Sequence, residues 1–203
     1  MPSTTAPAHG AAPRAKSPSP APPLAAGQLP DEAKAAWKPI GSPVRRPVGH
    51  HIGLDECAGL DGATAWLQQG WASAAGTPAI QDTFTFATSA AARHAFDQAG
   101  TGMKSCAMPL RALQSTNRLT PDASVARTAT AGDASAWRYQ WTAVPGMSAP
   151  GSQTHHVYLA LQGSQLTALQ YTDLASAGQT DTATPASDRA FLSTLAAQLR
   201  AHP

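Results

Sequence analysis

The sequence predicts an α+β fold: a curved antiparallel β-sheet of about five strands, packed by two or more helices on one face, with room for a cleft at an uncovered end. Three observations carry this. Residues 135–144 alternate Trp137, Tyr139 and Trp141 against Arg138, Gln140 and Thr142, the period-two signature of a strand. Residues 154–162 and 165–172 are apolar, β-rich runs separated only by Gly163-Ser164, a hairpin signal. Two segments instead carry helical stripes, Ala92/Ala95/Phe96/Ala99/Met103 and Phe191/Leu192/Leu195/Ala196/Leu199.

Residues 1–30 contain repeated Pro, Ala and Ser and no aromatic side chain. Such a stretch cannot bury enough apolar surface to offset chain entropy, so it reads as a disordered tail. Residues 31–203 read as one domain. Within it, 31–37 is a short helical or irregular start whose Trp37 docks on the core. Pro39, Pro43 and Pro47 predict broken structure up to His50. The stretch 52–70 has roughly helical apolar spacing interrupted by Gly59 and Gly62, and reads as a loop followed by a segment of undecided type.

Residues 83–88 alternate as a strand. Ser89 then caps a helix over about 90–105, with Gly100 and Gly102 weakening its last turn. Residues 107–122, with Pro109 and Pro121, read as irregular with room for one short helix. Residues 123–131 form a strand, Gly132-Asp133 a turn and 145–151 a loop. A polar loop over 173–186 leads to Ser187, which caps a helix from 188 to about 201.

Composition narrows the function classes. Charged residues make up 13% of the 203-residue chain, and the net charge is +2 with the basic residues scattered. No basic stripe exists for nucleic acid to grip. No run of 18 apolar residues is present, and the start of the chain lacks the apolar core of a secretory signal. Membrane attachment is therefore expected only through an anchor outside these residues. No GxSxG, HExxH, Walker or GxGxxG pattern occurs, and no cofactor is expected.

Cys57 and Cys106 are the chain's two cysteines. In an oxidising compartment they close a loop of about 50 residues; in a reducing one they are two buried thiols. No CxxC or HxxxH spacing supports a zinc site. His155 and His156 are adjacent on a predicted strand and so face opposite sides, which makes them a poor metal pair. No metal is expected. Asp55-Glu56, with Asp61 nearby, reads as a solvated loop or a helix cap. The aromatic face is the best local candidate for binding. Trp137, Tyr139 and Trp141 form either a core layer or an apolar cleft wall, with Tyr171 and His156 as further candidate lining residues.

Trp37, Cys57, Trp66/Trp71, the run TFTFAT, an Ala-rich helix ending at Cys106, Trp137, HHVYLALQGSQLTALQY and a final helix occur in that order. Over about residues 29–203 this pattern resembles the actinobacterial extracytoplasmic sensor-like domains. These are similar to the C-terminal domain of a mycobacterial receptor serine/threonine kinase and to related lipoproteins. The resemblance implies an antiparallel sheet with packed helices, a cleft and export, and it carries over no catalytic residue. The kinase domain has two disulfides, whereas this chain can form one.

The expectation is a non-catalytic extracytoplasmic domain tethered at the cell envelope, binding a small molecule or an envelope component. Free cysteines would instead place the protein in the cytoplasm. The alternatives are a small cofactor-free enzyme of the cyclase type, working in an aromatic-lined cleft, and a module that binds partners by sheet-edge pairing.

Overall fold

The computed structural model describes residues 19–146, 149–175, 178, 181 and 183–202. The tail up to residue 18 and parts of the 145–151 and 173–186 loops lie outside the described residues. The backbone is one seven-stranded antiparallel sheet with a small two-stranded hairpin beside it. In chain order the strands are β1 (Lys38–Arg45), β2 (His51–Gly53), β3 (Gly59–Asp61), β4 (Ala63–Ala72), β5 (Pro78–Phe86), β6 (Ser124–Thr130), β7 (Ala134–Thr142), β8 (Ser152–Gln162) and β9 (Gln165–Leu174). The helices are α1 (Glu32–Ala35), α2 (Ser89–Ser105), α3 (Ala107–Thr116) and α4 (Pro185–Arg200). The large sheet runs β1-β4-β5-β9-β8-β7-β6, and β2 pairs with β3.

The expected meander is present as β6 through β9, and Gly163 takes φ +56° at the first position of the β8–β9 turn. α2 starts one residue from the expected place, with Thr88 accepting from the Ala91 N–H as its cap. α4 is capped by Thr184 rather than Ser187, and Pro185 takes the first helical position, where its missing N–H costs nothing. The inner faces of both helices are those the stripes predicted. Ala92, Ala95, Ala99 and Met103 of α2 and Phe191, Leu192, Leu195 and Leu199 of α4 are buried.

The sheet exceeds the expected five strands because two segments that read as non-strand join its far edge. β1 contains Pro39 and Pro43, which lack a donor and are tolerated because β1 is an edge strand with an irregularity between Ile40 and Val44. β4 hides its period because it lies between β1 and β5 with side chains half-buried on both faces. The region expected to be irregular contains the ten-residue α3, which accepts Pro109 in its first turn.

Helices cover both faces rather than one. α4 packs on Tyr158, Ala160 and Leu169. α2 and α3 pack on the opposite face, against Val157, Leu159, Leu161 and Leu166. Residues 19–30, tail-like by composition, are seated on the α4 face. Ala21, Leu24 and Leu29 are buried there. The Ala21 N–H donates to Gln165 Oε1 at 2.7 Å and the Leu24 N–H to Gln81 Oε1 at 2.9 Å. Trp37 is buried as expected, edge-on to Tyr171 at 5.9 Å, with its Nε1–H donating to the Pro30 carbonyl at 2.8 Å.

Cys57 and Cys106 are joined by a disulfide, with Cα atoms 5.0 Å apart. The bond ties the β2–β3 loop to the end of α2. Gly102 permits this approach. A Cβ built there would lie 2.4 Å from the Cys57 carbonyl oxygen, whereas one at Gly100 would meet nothing within 4 Å.

Two outcomes follow from this packing. The double substitution C57A/C106A is expected to lower stability by about 4 kcal/mol for a loop of this length, read from urea unfolding. Gly102→Ala should cost roughly 1–3 kcal/mol through the clash, although Gly100→Ala on the same helix should gain about 0.5–1 kcal/mol.

Candidate functional site

Because strand side chains alternate, His155 and Val157 share the α2 face of the sheet with Trp137, Tyr139 and Trp141, while His156 and Tyr171 belong to the α4 face. The residues expected to line one site thus come from two sheet faces, yet Tyr139, His156 and Tyr171 border the same cavity, which Trp137 and Trp141 do not. Of the three β7 aromatics, Tyr139 lines a cleft. Trp137 is buried near α2, its Nε1–H donating to Ser135 Oγ at 3.0 Å and Arg127 lying over its ring. Trp141 supports the cleft from behind, donating its Nε1–H to His155 Nε2 at 3.2 Å.

One row of paired residues sets the cleft floor. Ile40 pairs with Gly70, Gly70 with Ile80, Ile80 with Gln170 and Gln170 with Val157. The β1–β5 end of this row is open to solvent: Ile40 is 59%, Val44 54% and Ile80 37% exposed. Gly70 has no side chain, which leaves a groove of about 280 Å³ between Ile40 and Ile80, with Gln68 and Arg46 at its side. Pro78 and Ile80 are shared with a second cavity of about 230 Å³, which the loop residues Leu54, Asp55 and Glu56 wall on one side and Tyr139, His155, His156, Gln170, Tyr171 and Thr172 on the other. The two form one furrow, apolar at the outer end and polar at the inner.

The inner wall is the loop after β2. Gln170 Nε2 donates to the Leu54 carbonyl at 2.7 Å, and the disulfide fixes Cys57. Asp55 Oδ1 accepts the N–H groups of Cys57 and Ala58, both at 2.7 Å, folding the loop around its carboxylate. Asp55 Oδ2 is buried and has no hydrogen-bond partner among the described residues. Burial raises the Asp55 carboxyl to about 6, against the lowering effect of those two N–H donors. Tyr139 donates its hydroxyl to Glu56 Oε2 at 3.2 Å; burial, then the Asp55 and Glu56 carboxylates, push its phenol up, so it stays a donor.

His155 lies beneath Tyr139, the rings stacked at 4.4 Å and 7°. Its Nε2 lies 3.2 Å from the Trp141 indole N–H and 3.1 Å from Gln153 Oε1, and its Nδ1 faces Thr172 Oγ1 at 2.8 Å, so both ring nitrogens have partners. Burial lowers His155 to about 4 and keeps the ring neutral. The ring is committed to its neighbours, and the buried polar atoms of the wall that have no hydrogen-bond partner among the described residues are Asp55 Oδ2, His156 Nε2 and the Tyr171 hydroxyl.

Asp55-Glu56 is therefore a cleft wall, where the sequence suggested a solvated loop or a cap. The two acidic residues beside a cysteine were the available signal, but the partner that buries them comes from β7 and β8, far along the chain. Ile80 and Gly70 carried no signal of their own.

No family model matches the chain, and no curated protein matches it. Among solved structures, the extracellular domain of PknH from Mycobacterium tuberculosis is similar, with a TM-score of 0.53 at 10% identity over 88% of this chain and 98% of that one. At that identity the likeness is one of fold, and it agrees with the resemblance to extracytoplasmic sensor-like domains.

Asp55 and His155 bias stability in opposite directions over one pH window. The folded state holds the Asp55 proton up to about pH 6 while the unfolded carboxyl releases it near 3.8, so this group's stabilisation is lost as pH rises through that window. His155 does the reverse: the unfolded state binds its proton below 6.5 and the folded state only below about 4, so its contribution is lost as pH falls. Asp55→Asn keeps the Oδ1 acceptor and removes only the first effect. Its stability relative to the native protein should rise by roughly 1–3 kcal/mol between pH 4 and 7 in urea titrations. A constant difference across that range would contradict the buried carboxyl.

Proposed function

We propose that the protein is a non-catalytic, extracytoplasmic, sensor-like domain that binds an amphipathic small molecule or envelope component in this furrow. The observation that carries the reading is the pairing of an uncovered apolar floor with an unpartnered carboxylate oxygen. Ile40, Val44 and Ile80 stay exposed on a sheet face that is elsewhere packed. Asp55 Oδ2 stands without a donor at the inner end. A buried acceptor is costly until something donates to it. The fitting ligand has an apolar body for the groove and a hydroxyl or ammonium group for Asp55.

The disulfide supports an oxidising location, and the fold likeness to an extracellular domain supports the same side of the membrane. The Pro-rich stretch before residue 19 suits a semi-extended spacer from a tether.

Gly70 offers a test that spares the fold. A Cβ there would meet Ile40 atoms at 3.8 and 3.9 Å, ordinary contact distances. Gly70→Val therefore fills the groove and places a β-branched residue in a strand, which favours that structure. Oxidised protein incubated with a host envelope extract and analysed by native mass spectrometry should retain a small-molecule adduct. Gly70→Val should reduce its occupancy about 10-fold or more without lowering the melting temperature. No retained component, or equal retention by Gly70→Val, would overturn the reading.

A further inference from the structure

On the α4 face, the β8–β9 ladder pairs His156 with Tyr171 and Thr154 with Asp173. Asp173 is thus the diagonal cross-strand neighbour of His156 on that face. Asp181, from the segment before α4, completes a group whose ligating atoms all lie within 4.8 Å of one another. His156 Nε2 is 3.5 Å from Asp173 Oδ2 and 3.7 Å from Asp181 Oδ1. We propose that His156, Asp173 and Asp181 form a binding site for one divalent transition-metal cation of the zinc type.

The evidence beyond the acidic cluster is His156 itself. The residue is 1% exposed, and its Nε2 has no hydrogen-bond partner among the described residues. Its ring is held flat against Tyr171, with centroids 4.5 Å apart at 11°, so Nε2 is aimed at the two carboxylates by packing. Both gaps exceed a good hydrogen bond. They are close to the roughly 3.3–3.4 Å that separates donor atoms around a tetrahedral zinc with 2.0–2.1 Å bonds.

The Asp181 carboxylate is oriented from outside the site, as metal ligands commonly are. Arg138 Nη1 donates to Asp181 Oδ2 at 2.5 Å, and the Ala183 N–H donates to Oδ1 at 2.9 Å. Oδ1 keeps its remaining lone pair for a cation. Asp173 and Tyr171 also line a cavity of about 320 Å³ bounded by Trp37 and Lys34, which opens the Asp173 side of the group. One imidazole and two carboxylates suit zinc or a neighbouring first-row ion and leave a coordination position open. Adjacent His155 and His156 do not act together. His156 takes its co-ligands from its own face.

The test uses oxidised full-length protein stripped with a chelator and titrated with Zn2+ against a chromophoric competitor. Co2+ serves as a spectroscopic substitute. One equivalent should bind at about micromolar affinity or tighter, with visible bands of tetrahedral Co2+ and a raised melting temperature. Asp173→Asn and Asp181→Asn should each weaken binding by about 10–100-fold, while His51→Gln, at an exposed histidine, leaves it unchanged. If Asp181→Asn disturbs folding through Arg138, Asp173→Asn decides the question alone. Absence of a one-to-one complex would overturn the proposal, as would binding that survives Asp173→Asn.

Discussion

The register of β8 against β9 is the constraint on which both sites depend. Ten residue pairs, from Gln153 with Leu174 to Gln162 with Gln165, run back from the Gly163-Ser164 turn. That register sends His155, Val157 and Leu159 to the α2 face and His156, Tyr158 and Ala160 to the α4 face. Apolar layers bury both sets, so a slip of one residue would expose two cores at once and exchange the chemistry of the two faces. Tyr158 reinforces the choice. Its hydroxyl donates to the buried Asp188 of α4 at 2.7 Å, which fixes that helix over one face only.

The furrow follows from how unevenly the α2 face is covered. α2, α3 and the β2–β3 hairpin pack over the strands from β5 to β7. β1 and the outer part of β4 are left with exposed Ile40 and Val44 beside the bare backbone of Gly70. The disulfide and Gly102 set where coverage stops, because they hold the loop after β2 close to the end of α2. A rigid wall of that kind can keep a carboxyl buried and partly unpaired, at a cost in stability that a ligand would relieve.

Much of this was legible in the sequence, and the rest was hidden for definite reasons. β7, α2 and α4 each show a clean period, whereas β8 and β9, buried on both faces, read as continuous apolar runs that Gly163-Ser164 separates. β1 was obscured by prolines that only its edge position allows. β4 was obscured because both of its faces are half-buried, and α3 because Pro109 falls in the first turn, where it is harmless. The placement of Tyr139 and Tyr171 on opposite sheet faces is readable from strand parity alone once the hairpin register is known, but their meeting at one cavity is not. The assembly of Asp55 with Tyr139, or of His156 with Asp181, joins segments separated by 84 and 25 positions through the sheet, and no local pattern records it.

The most direct test of the account is a set of aromatic cross-strand NOEs from solution NMR of the oxidised protein with labelled histidine and tyrosine rings. The His155 ring should contact Tyr139, and the His156 ring should contact Tyr171. Contacts between His155 and Tyr171 would place the β8–β9 ladder one residue out of register and dissolve both sites together.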